Sequence, residues 1–313
     1  INLTTTPESI LYDVRGNMAD ELIEKFISLK WSDLLFPIVL SMVLGGCASS
    51  SIERTNDIAK KSGMEFIKVS TPLFSFASYQ RINDSNLPLH LYIEGDGRAW
   101  LSRTQPSPDP TPTEPTALRL AVLDPAANVV YLARPCQWIP MAENPRCQPT
   151  YWTNKRFSPE VILAMSEAIT QIKQQSHIQQ VALVGYSGGG AVASLLAQSR
   201  DDIISLRTVA GYLDVEYANA WHHVSPMPDS LNPIKRAHTI AGLAQIHFSG
   251  SEDTVIPPAI AQRYVAQTGG QCARQIIVAD MTHRGPWEKR WPQLLTIPPA
   301  CSRQPLAYSR KRD

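Results

Sequence analysis

Residues 181–190 read Val-Ala-Leu-Val-Gly-Tyr-Ser-Gly-Gly-Gly, a short apolar strand signal running straight into a glycine-flanked serine. A serine hydroxyl is a weak nucleophile at neutral pH and needs a base beside it and an unusual backbone pose. A sharp strand-to-helix turn supplies that pose and lifts the hydroxyl of Ser187 above the carboxyl edge of a sheet. Gly185 and Gly189 fit positions where the incoming strand and the outgoing helix come too close for a Cβ. The small residues Gly190, Ala191 and Ala193 that follow suit a helix pressed onto that sheet. A Gly-x-Ser-x-Gly pattern alone is expected by chance in roughly one chain of this length in ten. Its meaning rests on its surroundings.

Outward from this turn, strand and helix signals alternate. Phe66–Ser70 and Phe74–Tyr79 suit an opening hairpin, and Leu89–Glu94 and Asn128–Leu132 read as further strands. Ser158-Pro159 is a helix start, with serine as N-cap and proline in the first turn. Ile162, Met165, Ile169 and Ile172 then recur at helical spacing and predict a face packed on a sheet. The strand Val181–Gly185 leads into a helix to about Gln198. Strands Ile203–Val209, Ala244–Phe248 and Gln275–Val278 follow, with helices near Pro258–Ala266 and Pro286–Leu295. This alternation predicts an α/β fold, a mostly parallel sheet covered by helices on both faces. Three longer irregular stretches interrupt it, at 103–116, 133–157 and 211–240.

Loops at the carboxyl ends of parallel strands converge on one edge, where ligands bind. Three of them carry chemistry that suits Ser187. Gly250-Ser251-Glu252-Asp253-Thr254-Val255-Ile256-Pro257 follows a strand and offers Asp253 to fix the tautomer of a histidine and stabilise its cation. Asp253 is equally placed to cap the next helix, and Glu252 is the fallback acid. Met281-Thr282-His283-Arg284-Gly285 follows the last strand. There His283 would take the serine proton and return it to the leaving group. Among seven histidines, it alone combines a post-strand loop with the chain order Ser…Asp…His. The turn Tyr92-Ile93-Glu94-Gly95-Asp96-Gly97-Arg98-Ala99-Trp100 offers an amide of Asp96 or Gly97 to a developing oxyanion, beside the amide of Gly188. It also reads as an ordinary tight turn, with Glu94 and Asp96 fixing the loop by hydrogen bonds.

With YIEGDGRAW, YLARPCQW, GYSGGG, GSEDTVIP and THRGPW in place over residues 92–287, the chain resembles the α/β-hydrolase superfamily. More narrowly, it is similar to bacterial lipoprotein-type serine hydrolases of undefined substrate. The resemblance implies an α/β-hydrolase fold of about eight strands, a Ser187/Asp253/His283 triad, and no metal or organic cofactor. It implies a carboxylesterase-like enzyme acting on a small-molecule or lipid-like ester. Peptidase, acyltransferase and a non-catalytic envelope-binding lipoprotein are the competing readings. Many esterases carry His-Gly in the oxyanion loop, where this chain has Glu94-Gly95.

Trp100, Tyr186 and Trp221 are candidate substrate contacts. Trp100, Trp138, Trp152, Tyr212, Tyr217 and Trp221 suit either an apolar pocket or packing of the long loops. His222-His223 with Asp214 is a poor metal site, because adjacent histidines diverge on most backbones.

The 313 residues carry a formal net charge of +1, 43% hydrophobic and 18% charged residues. No strongly basic face is implied and nucleic acid is not an expected partner. Arg310-Lys311-Arg312 reads as a solvated tail within 302–313. Leu34–Leu44 is an apolar run of 11 residues. That falls short of the roughly 20 residues of a membrane span but suits a signal-peptide core. Leu44-Gly45-Gly46-Cys47 then resembles a lipobox, with Cys47 lipidated and residues 1–46 removed. Asp20, Glu21 and Glu24 are atypical ahead of such a core, which points to a translation start near Leu29. Loss of 1–46 removes three basic and six acidic residues and takes the net charge from +1 to +4. Residues 47–63 read as a lipidated cysteine and polar tether, and 64–301 as the hydrolase domain. The alanine after Cys47 favours the outer membrane, facing the periplasm. The other four cysteines suit an oxidising compartment. Cys136–Cys147 and Cys272–Cys301 are the expected bridges, since each closes a local loop. The second encloses His283 and contributes about 3–4 kcal/mol on the chain-entropy model.

Overall fold

A computed structural model describes residues 52–301. The signal segment, Cys47 and the basic tail lie outside them. All elements below belong to the unit that begins at Thr55. Eight strands form one sheet: β1 (Glu65–Ser70), β2 (Ser75–Ile82), β3 (Leu89–Ile93), β4 (Asn128–Leu132), β5 (Val181–Tyr186), β6 (Ile203–Val209), β7 (Ala244–Gly250) and β8 (Ala273–Val278). Their spatial order is β1-β2-β4-β3-β5-β6-β7-β8. β2 runs antiparallel to β1 and β4, and every pairing from β4 to β8 is parallel. The chain has the α/β-hydrolase fold.

Six helices cover the sheet among the described residues beyond 64: α1 (Thr116–Ala121), α2 (Pro159–Ser176), α3 (Gly188–Ala197), α4 (Val215–Trp221), α5 (Ala259–Thr268) and α6 (Trp287–Leu295). Side chains alternate across a strand, so the central strands feed two cores. Leu89, Leu91 and Ile93 of β3 join Val130 and Leu132 of β4 under α2 and α3. Tyr92, Val129 and Tyr131 face the other way, toward α1 and the fully buried Trp287 and Trp291 of α6. Strands buried on both faces read as continuous apolar runs, which is why β4 and β5 stand out in the sequence. The Ser158 hydroxyl accepts the Val161 amide at 3.4 Å and starts α2 as expected.

Three stretches depart from the sequence reading. The polar tether drawn to residue 63 ends earlier, because 55–61 are helical and Thr55 and Ala59 are buried. Its polar residues line the outer side of a helix whose inner side packs with Met64 and Tyr79. The stretch 103–116 ends in the start of α1, a six-residue helix hidden behind a proline-rich loop. The stretch 211–240 contains α4 and a 3-10 segment, Pro233–Ile240. Cys136 is bonded to Cys147 and Cys272 to Cys301. The first bridge pins the irregular stretch 133–157, and the second ties Cys272, just before β8, to Cys301, beyond α6. Among the described residues, no helix is long and apolar enough to cross a membrane.

Candidate active site

Ser187 sits between β5 and α3 with φ 51° and ψ −119°, a left-handed pose that costs a non-glycine residue on the order of 1–3 kcal/mol. Close packing enforces it. The Ser187 amide donates to the Val209 carbonyl at 2.9 Å, and the Tyr212 amide donates to the Ser187 carbonyl at 3.0 Å. At Gly189 a Cβ would stand 2.2 Å from the Ile93 carbonyl oxygen, so only glycine lets α3 begin against β3. The hydroxyl is thereby held at the carboxyl edge of the sheet.

His283 lies in the loop after β8 with its Nε2 3.0 Å from Ser187 Oγ. Its Nδ1 is 2.9 Å from Asp253 Oδ2. The histidine backbone is clamped as well, since its carbonyl accepts the Tyr186 hydroxyl at 3.0 Å and the Trp287 indole N–H at 3.1 Å. Asp253 is buried and divides its two oxygens between tasks. Oδ1 accepts the amides of Val255 at 2.9 Å and Ile256 at 2.7 Å, while Oδ2 serves the histidine. The capping reading and the orienting reading of Asp253 therefore describe two halves of one carboxylate. Glu252, the fallback acid, is exposed. The acid and histidine loops touch through backbone, with the Glu252 amide 3.0 Å from the Met281 carbonyl. Gly250 permits this approach, for a Cβ there would stand 2.1 Å from that same oxygen.

The turn after β3 completes the arrangement. Glu94 is buried, and its Oε1 accepts the amides of Gly95 at 2.9 Å and Ala117 at 3.3 Å. Burial raises its pKa from 4.5 to about 7. The Tyr131 hydroxyl interacts with this carboxyl, yet Oε2 has no directed hydrogen bond. Gly97 has φ 64°, and the Arg98 amide donates to the Pro110 carbonyl at 2.9 Å. The Gln137 side chain holds the Gly95 carbonyl at 3.0 Å. Gly188 is the first residue of α3, so its amide has no acceptor within the helix. The Asp96 carboxylate lies across Gly188, whose added Cβ would stand 2.0 Å from Oδ1. The candidate oxyanion residues Asp96 and Gly188 are thus adjacent, while Gly97 is turned against Pro110.

Two residues that sequence reasoning missed hold Asp96. Arg134 Nη1 is 3.2 Å from Oδ1, and Arg156 Nε is 3.2 Å from Oδ2. Arg134 follows Ala133 just past the end of β4 in the YLARPCQW segment, and an arginine near a strand's carboxyl end was the available signal. The Arg156 guanidinium packs 5.1 Å from the Tyr212 ring centroid.

The aromatic candidates divide. Tyr186 spends its hydroxyl on His283, which makes it a brace for the histidine and not an open substrate contact. Trp138 and Trp152 are buried, their indole N–H groups donating to the Tyr131 hydroxyl and the Ser107 carbonyl at 3.1 Å each. Those two pack loops. Trp100 and Trp221 are 43% and 52% exposed and remain available as contacts at the rim. Asp214 caps α4 through the Tyr217 amide and pairs with Arg263. His222 Nε2 lies 2.6 Å from the Val255 carbonyl. Both groups are committed to local structure.

No protein-family model matches the chain, and no curated protein matches it in sequence. Solved structures with the same fold do. A bacterial membrane phospholipase A aligns over 85% of this chain and 97% of its own at 14% identity, with a TM-score of 0.54. An acylaminoacyl peptidase from Pyrococcus horikoshii aligns over 74% of this chain and 40% of its own at 10% identity and a TM-score of 0.55. An esterase from Pyrococcus furiosus aligns over 76% of this chain and 94% of its own at 13% identity and a TM-score of 0.53. These likenesses show the same fold that the strand order of the sheet describes.

Proposed function

We propose that the chain is a serine hydrolase that cleaves a carboxylic ester through an acyl-enzyme. The observation that carries this reading is the unbroken Ser187–His283–Asp253 hydrogen-bond chain, with links of 3.0 and 2.9 Å, built on a strained turn at the carboxyl edge of the sheet. Ser187 Oγ attacks the ester carbonyl while His283 Nε2 takes its proton, and Asp253 stabilises the imidazolium through Nδ1. The amides of Gly188 and Asp96 meet the oxyanion, and removal of one such donor costs about 3–4 kcal/mol. The imidazolium then protonates the departing alkoxide. Water, deprotonated by His283, attacks the acyl carbon and releases the acid and Ser187.

The fold accommodates esterases, lipases and peptidases alike, so the choice of ester rests on the site and not on architecture. A fluorophosphonate probe should label Ser187 in the wild-type protein and fail on Ser187→Ala. Folded wild type that escapes labelling would return the chain to the binding-lipoprotein reading. A series of p-nitrophenyl esters set against peptide amides then separates esterase from peptidase.

The place of action is part of the same proposal. The Leu34–Leu44 run and the Leu44-Gly45-Gly46-Cys47 motif support export and lipid anchoring at Cys47. Two disulfides agree with an oxidising compartment. Cys47→Ser should shift the protein from the membrane to the soluble fraction, and continued membrane retention would count against the anchor.

A further inference from the structure

Asp96 is one carboxylate held between two guanidinium groups. Arg134 and Arg156 each approach a different oxygen of it at 3.2 Å. Arg134 also donates to the Arg156 carbonyl, and both guanidiniums stack on Phe157, with Cζ 5.3 and 5.2 Å from the ring centroid. The cluster therefore holds an excess of one positive charge in an aromatic, poorly solvated setting.

One carboxylate cannot satisfy all the N–H donors of two arginines. The Nε of Arg134 and the Nε of Arg156 are buried without a hydrogen-bond acceptor. The 3.2 Å approach of Arg156 Nε to Asp96 is an ion pair that lies off the N–H direction. An arginine offers five N–H donors in a fixed fork suited to a second anion. The Tyr212 hydroxyl and Asp96 use only part of the fork of Arg156.

The cluster reaches the nucleophile through Asp96. The Arg134 side chain is 4% exposed, whereas those of Arg156 and Asp96 are 12% and 22% exposed. Asp96 lies across Gly188, next to Ser187. The Tyr212 ring under Arg156 belongs to the residue whose amide holds the Ser187 carbonyl. The two contacts tie the incompletely paired guanidinium to the residues that surround Ser187.

We propose that Arg156, backed by Arg134 and Asp96, is an anion subsite, and that the natural ester carries a carboxylate or phosphate group close to its scissile bond. This inference rests on the hydrolase reading of Ser187. A substrate anion would supply the second negative charge that the cluster lacks, and a charge-assisted fork is the strong form of such a contact.

Three fluorophosphonates of equal chain length test it, ending in a carboxylate, a phosphate or a neutral methyl ketone. The readout is the second-order rate of Ser187 labelling. Wild type should react about tenfold to a hundredfold faster with an anionic tail than with the neutral one, the gain of one charged hydrogen-bonded contact. The faster of the two anionic probes identifies the anion. Arg156→Gln should erase the ratio, and Arg156→Lys, which loses the planar fork but keeps the charge, should retain part of it. Equal rates for all three probes on wild type would overturn the subsite and leave the hydrolase intact. Equal loss of the ratio in the Gln and Lys variants would overturn Arg156 as its charged contact. No labelling by any probe would instead sink the hydrolase reading itself.

Discussion

Glu94→Gln should flatten the pH dependence of stability. Glu94 is 1% exposed, and burial raises its pKa from 4.5 to about 7. In the folded protein the carboxyl keeps a proton that the unfolded chain releases near pH 4.5. Its contribution to stability is fully present below that pH, declines as pH rises, and is gone above about pH 7. The interval from 4.5 to about 7 corresponds to about 3 kcal/mol. Glutamine keeps an oxygen for the Gly95 and Ala117 amides but carries no titrating proton. Urea unfolding followed by tryptophan fluorescence, with disulfides intact, compares the two proteins from pH 4.5 to 8. Their stability difference should be smallest at the acid end and shift by about 3 kcal/mol in favour of glutamine by pH 8. In thermal melts that is about 6–12 °C for a domain of this size. Every other titrating group is common to both proteins, so the difference isolates Glu94. Parallel stability curves across the whole range would refute a buried, protonated Glu94.

Acid instability should trace to His247, which is fully buried with its pKa lowered to about 3 by desolvation. A base lowered in this way stabilises the fold above its unfolded pKa and loses that contribution as pH falls. His247→Phe should therefore spare about 3 kcal/mol of the loss that wild type suffers between pH 7 and 4, read by the same urea series. Asp253→Asn should lower kcat on an activated ester by about 10⁴-fold. Its melting temperature should change little, because the amide oxygen still accepts the Val255 and Ile256 amides; an unchanged kcat would remove Asp253 from the reaction. Gly188→Ala should cost about a hundredfold or more in kcat, the effect of moving one oxyanion amide out of place. Its Cβ would meet Asp96 Oδ1 at 2.0 Å, and two arginines keep Asp96 from yielding. Far-ultraviolet circular dichroism confirms the fold, and undiminished turnover would show that the turn moves freely.

The line between what the sequence discloses and what it withholds follows the range of the interactions. β4 and β5 are legible because burial on both faces leaves an unbroken apolar run. The Ser187, Asp253 and His283 positions are legible because parallel strands deliver their following loops to one edge, so chain order and post-strand position suffice to select them. The strand order, with β4 lying between β2 and β3, is set by long-range pairing that no local pattern records. Segment 55–61 reads as tether because a lone helix exposes most of its residues, and only a few positions such as Thr55 and Ala59 report its packing. The same reasoning explains Asp96. As part of Glu94-Gly95-Asp96-Gly97 it reads as a turn residue or an amide donor, since glycines advertise backbone geometry. Its counter-ions stand 38 and 60 residues away, in a disulfide-pinned loop with little regular structure. A carboxylate beside a developing oxyanion would oppose catalysis if it were alone. Held between Arg134 and Arg156 it belongs instead to a cluster of net positive charge, so the electrostatics around Ser187 depend on partners that only the fold brings to it.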